Sequence, residues 1–140
     1  MTKYIGIDPD VDKSGFAIWE SVSQDYDYIT QLPFWDLIEH IERMDTNCVV
    51  YVEASWQLKK SNWHNKKGQS KAVGEKIAKA VGANHQVGKL IVEYCKVNGV
   101  KYVEILPQGK FNAKEFKQIT GITERTNSEK RDAALLVYGR

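Results

Sequence analysis

Cysteine, proline and net charge are all scarce in this chain. Its 140 residues hold two cysteines, three prolines and a formal net charge of only +2. Cys48 and Cys95 offer no C-x-x-C spacing, so no zinc-ligand pattern or dense disulfide framework is present, and both are expected to be buried reduced thiols. The near balance of charge excludes a chain-wide basic surface, although a local basic patch can still meet nucleic acid. No apolar run approaches the ~20 residues that span a bilayer, and no signal-peptide pattern opens the chain. Repeats, low-complexity tracts and interdomain linkers are missing too. The expectation is a cytoplasmic protein with no membrane partner, folded as one domain over residues 1–140.

What is there suits a packed core. Hydrophobic residues make up 42% and aromatics 11%, too much for a disordered chain. The chain is best organised around Tyr4-Ile5-Gly6-Ile7-Asp8-Pro9. Its apolar run reads as a strand buried on both faces, and Pro9 ends it because proline has no N–H to give a ladder. Asp8 would then stand at the C-terminal lip of a central strand, where functional groups of open α/β sheets gather. Asp-Pro also opens turns, and the stretch alone leaves both readings open.

Strands are expected at 3–8, 14–21 and 26–32, joined by short turns into an antiparallel meander. Pro33 opens a helix at its permitted end, with Phe34, Leu37, Ile38 and Ile41 at helical spacing. The fourth strand, 48–53, also ends on a carboxylate, Glu53, and arrives through a helix, so it should run parallel to a neighbour. Residues 54–71 read as a loop, 72–98 as a long helix with Asn84 on its apolar stripe, and 101–106 as the fifth strand. A short helix at 112–120 and a last one at 128–138, capped by Ser128, complete the chain. The order is β-β-β-α-β-α-β-α-α, an α/β fold with a mixed five-stranded sheet and helices on its faces.

If the first and fourth strands are parallel neighbours, Asp8 and Glu53 share one edge at a separation near ~5 Å. Two ionised carboxylates that close repel unless a proton or cation lies between them. Glu129 and Asp132, spaced i,i+3, add one acidic helix face, a spacing that helix N-termini also favour for their own dipole. Four carboxylates at element ends suit one or two hard divalent cations held by oxygen, as Mg²⁺ prefers. Two such ions can activate a water and stabilise the leaving oxygen of a phosphodiester.

The same residues carry a family resemblance. Gly6-Ile7-Asp8-Pro9-Asp10-Val11-Asp12-Lys13-Ser14-Gly15 resembles the opening motif of the RuvC-type Holliday junction resolvases of the RNase H-like nuclease superfamily, commonly Gly-Ile-Asp-Pro-Gly followed by Thr-Gly or Ser-Gly. Val49–Glu53 resembles the strand bearing the second catalytic carboxylate. Residues 82–88 and 103–107 resemble the following helix and a fifth strand closed by proline. Glu129-Lys130-Arg131-Asp132-Ala133-Ala134-Leu135 resembles the closing acidic helix. Asp10 stands where the family has glycine, and Glu129 is longer than the usual aspartate. The resemblance implies an RNase H-like sheet of order 3-2-1-4-5. It implies Mg²⁺- or Mn²⁺-dependent cleavage of branched DNA by a homodimer, in a bacterial nucleoid or a phage-infected cell. It also implies Asp8, Glu53, Glu129 and Asp132 as catalytic metal ligands.

For such a nuclease, the stretch after Glu53 supplies DNA contacts. Lys59, Lys60, Lys66, Lys67 and Lys71 would meet phosphates, and Trp56 and Trp63 would stack on unpaired bases. His64 lies among them. Lys130 and Arg131 flank the acidic helix and would hold the scissile strand. Lys110, Lys114 and Lys117 read as an extension of this surface or as a solvated face. The expected function is resolution of four-way junctions by paired phosphodiester hydrolysis. Two other classes remain open on sequence: an RNase H-like nuclease for hybrids or flaps, and a catalytically weak module that binds branched DNA.

Overall fold

A computed structural model describes residues 2–44, 47–58 and 70–140. Three strands come first, β1 (Lys3–Asp8), β2 (Ser14–Glu20) and β3 (Asp25–Leu32). They form the expected meander, β1 pairing antiparallel with β2 and β2 with β3. Helix α1 (Phe34–Glu42) leads into β4 (Cys48–Glu53), which lies parallel to β1 with Ile7 opposite Val52. Helix α2 (Lys71–Val97) crosses to β5 (Lys101–Ile105), parallel to β4, and α3 (Ala113–Thr120) and α4 (Ser128–Val137) close the chain. The sheet order is β3-β2-β1-β4-β5, as expected.

Period-two alternation sorts the strand residues between two cores. Ile5, Ile7, Phe16, Ile18, Val50 and Val52 face α1 and α2, where Leu37, Ile38, Ile41, Ile91, Val92 and Cys95 cover them. Each fully buried side chain of this kind contributes roughly 1.5–3 kcal/mol relative to exposure. Ala17 and Trp19 face the other way, against Phe116 of α3 and Ala133, Ala134 and Val137 of α4. Asp8 is in step with Gly6, and Glu53 with Tyr51, so both carboxylates point to the α4 side. Cys48 and Cys95 are buried free thiols.

Two helix starts differ from expectation. Ser70 caps α2 by accepting from the Val73 N–H, so Lys71 is the helix's first residue and not part of a loop. Asn127 caps α4, accepting from the Lys130 N–H at 3.0 Å, so Ser128 is already inside the helix. Asn112 and Glu115 form a reciprocal capping box on α3, and Gly121 ends that helix at φ +76°. Among the described residues no helix is long and apolar enough to cross a membrane.

Candidate active site

Glycine decides how close α4 comes to the sheet. A Cβ on Gly6 would lie 2.1 Å from the Ala133 carbonyl oxygen, and one on Gly15 would lie 2.1 Å from that of Glu129. Any side chain there would push the helix outward. Without one, α4 lies directly on β1 and β2 and brings Asp132 over the C-terminal edge of β1 and β4. Asp8, Glu53 and Asp132 each present a carboxylate oxygen, and the three oxygens all lie within 4.8 Å of one another.

The electrostatics of this trio are those of a site awaiting positive charge. Burial, and then the charge of Glu53, push the Asp8 carboxyl up to about 9. Asp132 is also raised, by burial first and then by Glu53. Lys110 opposes both shifts. Glu53 Oε2 is buried with no hydrogen-bond partner among the described residues. A buried acceptor left unpaired costs roughly 1–3 kcal/mol, which a bound cation would offset. An all-oxygen donor set at this spacing fits Mg²⁺ or Mn²⁺.

The trio opens onto a cleft of about 350 Å³. Its walls include Asp10 from the β1–β2 turn, Asn84 and His85 from α2, Lys110 from the segment after β5, and Glu129 from α4. Glu129 thus lines the cleft but stands outside the close trio; the Ser128 hydroxyl donates to it at 3.2 Å. Asp10 occupies the place of a glycine without strain. Among the described residues only Gln24 is a non-glycine at positive φ. The Asp10 carboxylate accepts from the Asp12 and Lys13 N–H groups at 2.9 and 3.3 Å, an Asx-type turn that absorbs its charge. Ser14 Oγ accepts from the Asp10 N–H at 3.0 Å, and Asn84 Oδ1 accepts from the Val11 N–H at 2.8 Å. Helix α2 therefore clamps the turn that follows Asp8.

The residues expected to touch DNA are distributed unevenly. Trp56 is half-buried; its ring sits where a Cβ on Gly88 would come within 2.3 Å, beside Pro9. Arg131 donates to the Phe111 and Thr126 carbonyls at 3.0 and 3.3 Å and to the Thr126 hydroxyl at 3.2 Å, which ties the segments before and after α3 to α4. Lys130 is half-buried on α4. Lys71 is exposed and 3.9 Å from Glu75. Lys59, Lys60, Trp63, His64, Lys66 and Lys67 lie outside the described residues. Two further side chains line the cleft: His85, which no motif marks, and Lys110, expected only as an extension of the basic surface or a solvated face. His85 Nε2 is buried and unpartnered among the described residues, and burial, then Lys89, lowers the ring's pKa. Lys110 follows Pro107 closely, and its nearness to a strand end on the acidic edge was the available signal.

No protein-family model matches the chain, and no curated protein matches it in sequence. Solved structures do. The chain is similar to Thermus thermophilus RuvC in complex with a Holliday junction substrate, at 15% identity and a TM-score of 0.60, over 99% of this chain and 91% of that one. It is similar also to a second Thermus thermophilus RuvC structure, at 16% identity and a TM-score of 0.53, over 98% of this chain and 91% of that one. The fold is thus the RNase H-like α/β fold. The likeness to the two RuvC structures extends over nearly the whole chain.

Proposed function

We propose that the protein is a divalent-cation-dependent endonuclease acting on branched DNA, specifically on four-way junctions. The observation that carries this reading is the convergence of Asp8, Glu53 and Asp132 within 4.8 Å at one sheet edge, with a buried Glu53 oxygen left unpaired. The RuvC fold, solved elsewhere with a Holliday junction substrate, supports the choice of substrate.

In this reading Asp8, Glu53 and Asp132 hold a first ion, and Glu129 on the cleft wall assists a second. Mg²⁺ is the expected ion, with Mn²⁺ as a substitute. Bound there, the ions would supply the charge that acidifies an attacking water and neutralises the departing oxygen. The protein's own part is positional. Gly6 and Gly15 set the height of α4, and the Asp10–Ser14 turn and Asn84 fix the backbone beyond Asp8. Lys110 adds a cation on the cleft wall to meet the phosphodiester. Lys71, Lys130 and the lysines and Trp63 of residues 59–67 would contact the flanking DNA, with Trp56 and Arg131 shaping the surface beside them. A four-way junction is two-fold symmetric, so paired nicks call for a homodimer with two such sites.

The test compares a four-way junction, a linear duplex and an RNA–DNA hybrid as substrates with Mg²⁺ or Mn²⁺. Preferential, metal-dependent cutting of the junction is the expected result. Preferential cutting of the hybrid would move the assignment to another nuclease of this fold. Junction binding without cutting under either ion would make the protein a binding module.

A further inference from the structure

Helix α2 is held over the residues that follow Asp8 at two points. Asn84 Oδ1 accepts from the Val11 N–H at 2.8 Å. One turn further along, Gly88 has no side chain, and a Cβ there would lie 3.1 Å from Pro9 Cγ. His85 stands between these points. It shares a helix face with Val81 at i−4 and Gly88 at i+3. With Val81 and Asn84 it lines the same cleft as Asp8, Glu53 and Asp132.

A phosphodiester entering this cleft meets mostly negative charge. Five carboxylates line it, those of Asp8, Asp10, Glu53, Glu129 and Asp132. Bound cations would offset part of that charge, but the non-bridging oxygens also need hydrogen-bond donors. Lys110 and the Ser55 hydroxyl are two on the cleft wall. His85 is the third, and its state is unlike theirs. Its Nε2 is buried with no partner among the described residues. A buried polar atom left so costs roughly 1–3 kcal/mol, and an imidazole kept only for packing would have that atom paired. The ring is not grouped with the carboxylate oxygens that lie within 4.8 Å of one another, so it is not a further ligand to the same ion. Burial, and then Lys89, keep its pKa below the ordinary histidine value, which favours the neutral ring with one N–H. No hydrogen bond among the described residues holds Nε2, so rotation about Cβ–Cγ, a broad torsion, would turn it into the cleft.

We propose that His85 donates a hydrogen bond from Nε2 to a non-bridging oxygen of the scissile phosphate, and so positions that phosphate at the acidic trio. The inference rests on the nuclease reading above and adds a substrate contact to it. Charge builds on that oxygen during attack, so the contact strengthens in the transition state and His85 acts on cutting more than on binding. No proton is transferred and no bond to the ring forms.

The test is single-turnover cleavage of a four-way junction by the wild type, His85→Ala and His85→Gln. Mn²⁺ is the ion, because it accepts sulfur ligands better than Mg²⁺. Three substrates are used: the ordinary junction and the two phosphorothioate diastereomers at the scissile phosphate. Junction affinity is measured in EDTA, and urea melts are run in parallel. On the ordinary junction His85→Ala is expected to cut roughly 10- to 100-fold more slowly, the worth of one hydrogen bond to a charged group, with affinity unchanged. His85→Gln, whose amide N–H also donates, should regain most of the rate and keeps the test readable if the alanine variant folds poorly. On one diastereomer the alanine deficit should shrink towards none, because sulfur is a poor acceptor, and on the other it should persist. An alanine variant that cuts at the wild-type rate overturns the His85 contact alone. So does a deficit of equal size on all three substrates, which would make the ring a purely structural group. A wild type that cuts no DNA with either ion overturns the nuclease reading and this inference together.

Discussion

The backbone oxygen of Glu129 occupies space that a Cβ on Gly15 would need, 2.1 Å from where that carbon would lie. Strand β2 and helix α4 therefore meet backbone to backbone at the mouth of the acidic cleft. Neither element can yield cheaply, because the clashing atom belongs to a helix carbonyl. Gly15→Ala is expected to cost about 1–3 kcal/mol by overpacking. It should also weaken Mn²⁺ binding, because Asp132 rides on the displaced helix. Urea denaturation and a Mn²⁺ titration check the two effects, and stability loss with unchanged ion affinity would separate α4's height from the site.

The sheet was legible in the sequence because its central strands are unmistakable. Tyr4–Ile7 and Val49–Val52 are continuous apolar runs, each closed by a carboxylate, and the parallel register that sets Ile7 opposite Val52 is what sends Asp8 and Glu53 to the same face. Asp132 was legible from its i,i+3 partner and from its place in the last helix. Contacts between residues distant in sequence were not. Nothing local tells that Gly88 makes room for Trp56, or that Arg131 turns back to the Phe111 carbonyl. Glu129 shares a helix face with Asp132, yet one turn of helix was enough to take it out of the close trio. The helix starts moved by a residue or two because serine and asparagine at neighbouring positions are both good caps.

Ion-free protein should lose stability as pH rises. Asp8 has an ordinary value of 3.8 and is pushed up to about 9 in the fold, by burial and then by Glu53. Between those limits the native state holds a proton that the unfolded chain has released. Its contribution is therefore full below 3.8 and falls as pH climbs toward about 9. Asp8→Asn should flatten this slope, and saturating Mg²⁺ should oppose it by favouring the ionised carboxylates. Urea melts across that window with and without Mg²⁺ are the measurement. Equal slopes in the wild type and the Asn variant would contradict the buried acidic trio.

Trp56→Ala should act on the fold. The ring is half-buried and packed against the core beside Gly88, so its removal is expected to cost about 2 kcal/mol, less than a fully buried tryptophan. A denaturant midpoint indistinguishable from wild type would instead free the ring for DNA.

Arg131 and Lys130 should separate in the same way. Arg131→Lys loses the forked contacts to Phe111 and Thr126 and should destabilise by roughly 1–2 kcal/mol. Lys130→Ala should leave stability nearly unchanged and reduce the salt slope of DNA binding by about 0.9, the value for one lost phosphate contact. Salt-dependent binding of a four-way junction by the two variants, set beside their urea melts, tests the division.

In the proposed nuclease, Asp8, Glu53 and Asp132 would form one cation site at which DNA is cut. Single-turnover cleavage of a four-way junction with Mg²⁺, by the wild type and by Asp132→Asn, tests it most directly, with junction binding measured in parallel. The expected result is symmetric cutting by the wild type and a loss of at least about 100-fold in the Asn variant, a deficit typical of removing a group that stabilises transition-state charge, with junction binding retained. Cleavage by Asp132→Asn at the wild-type rate would contradict the account.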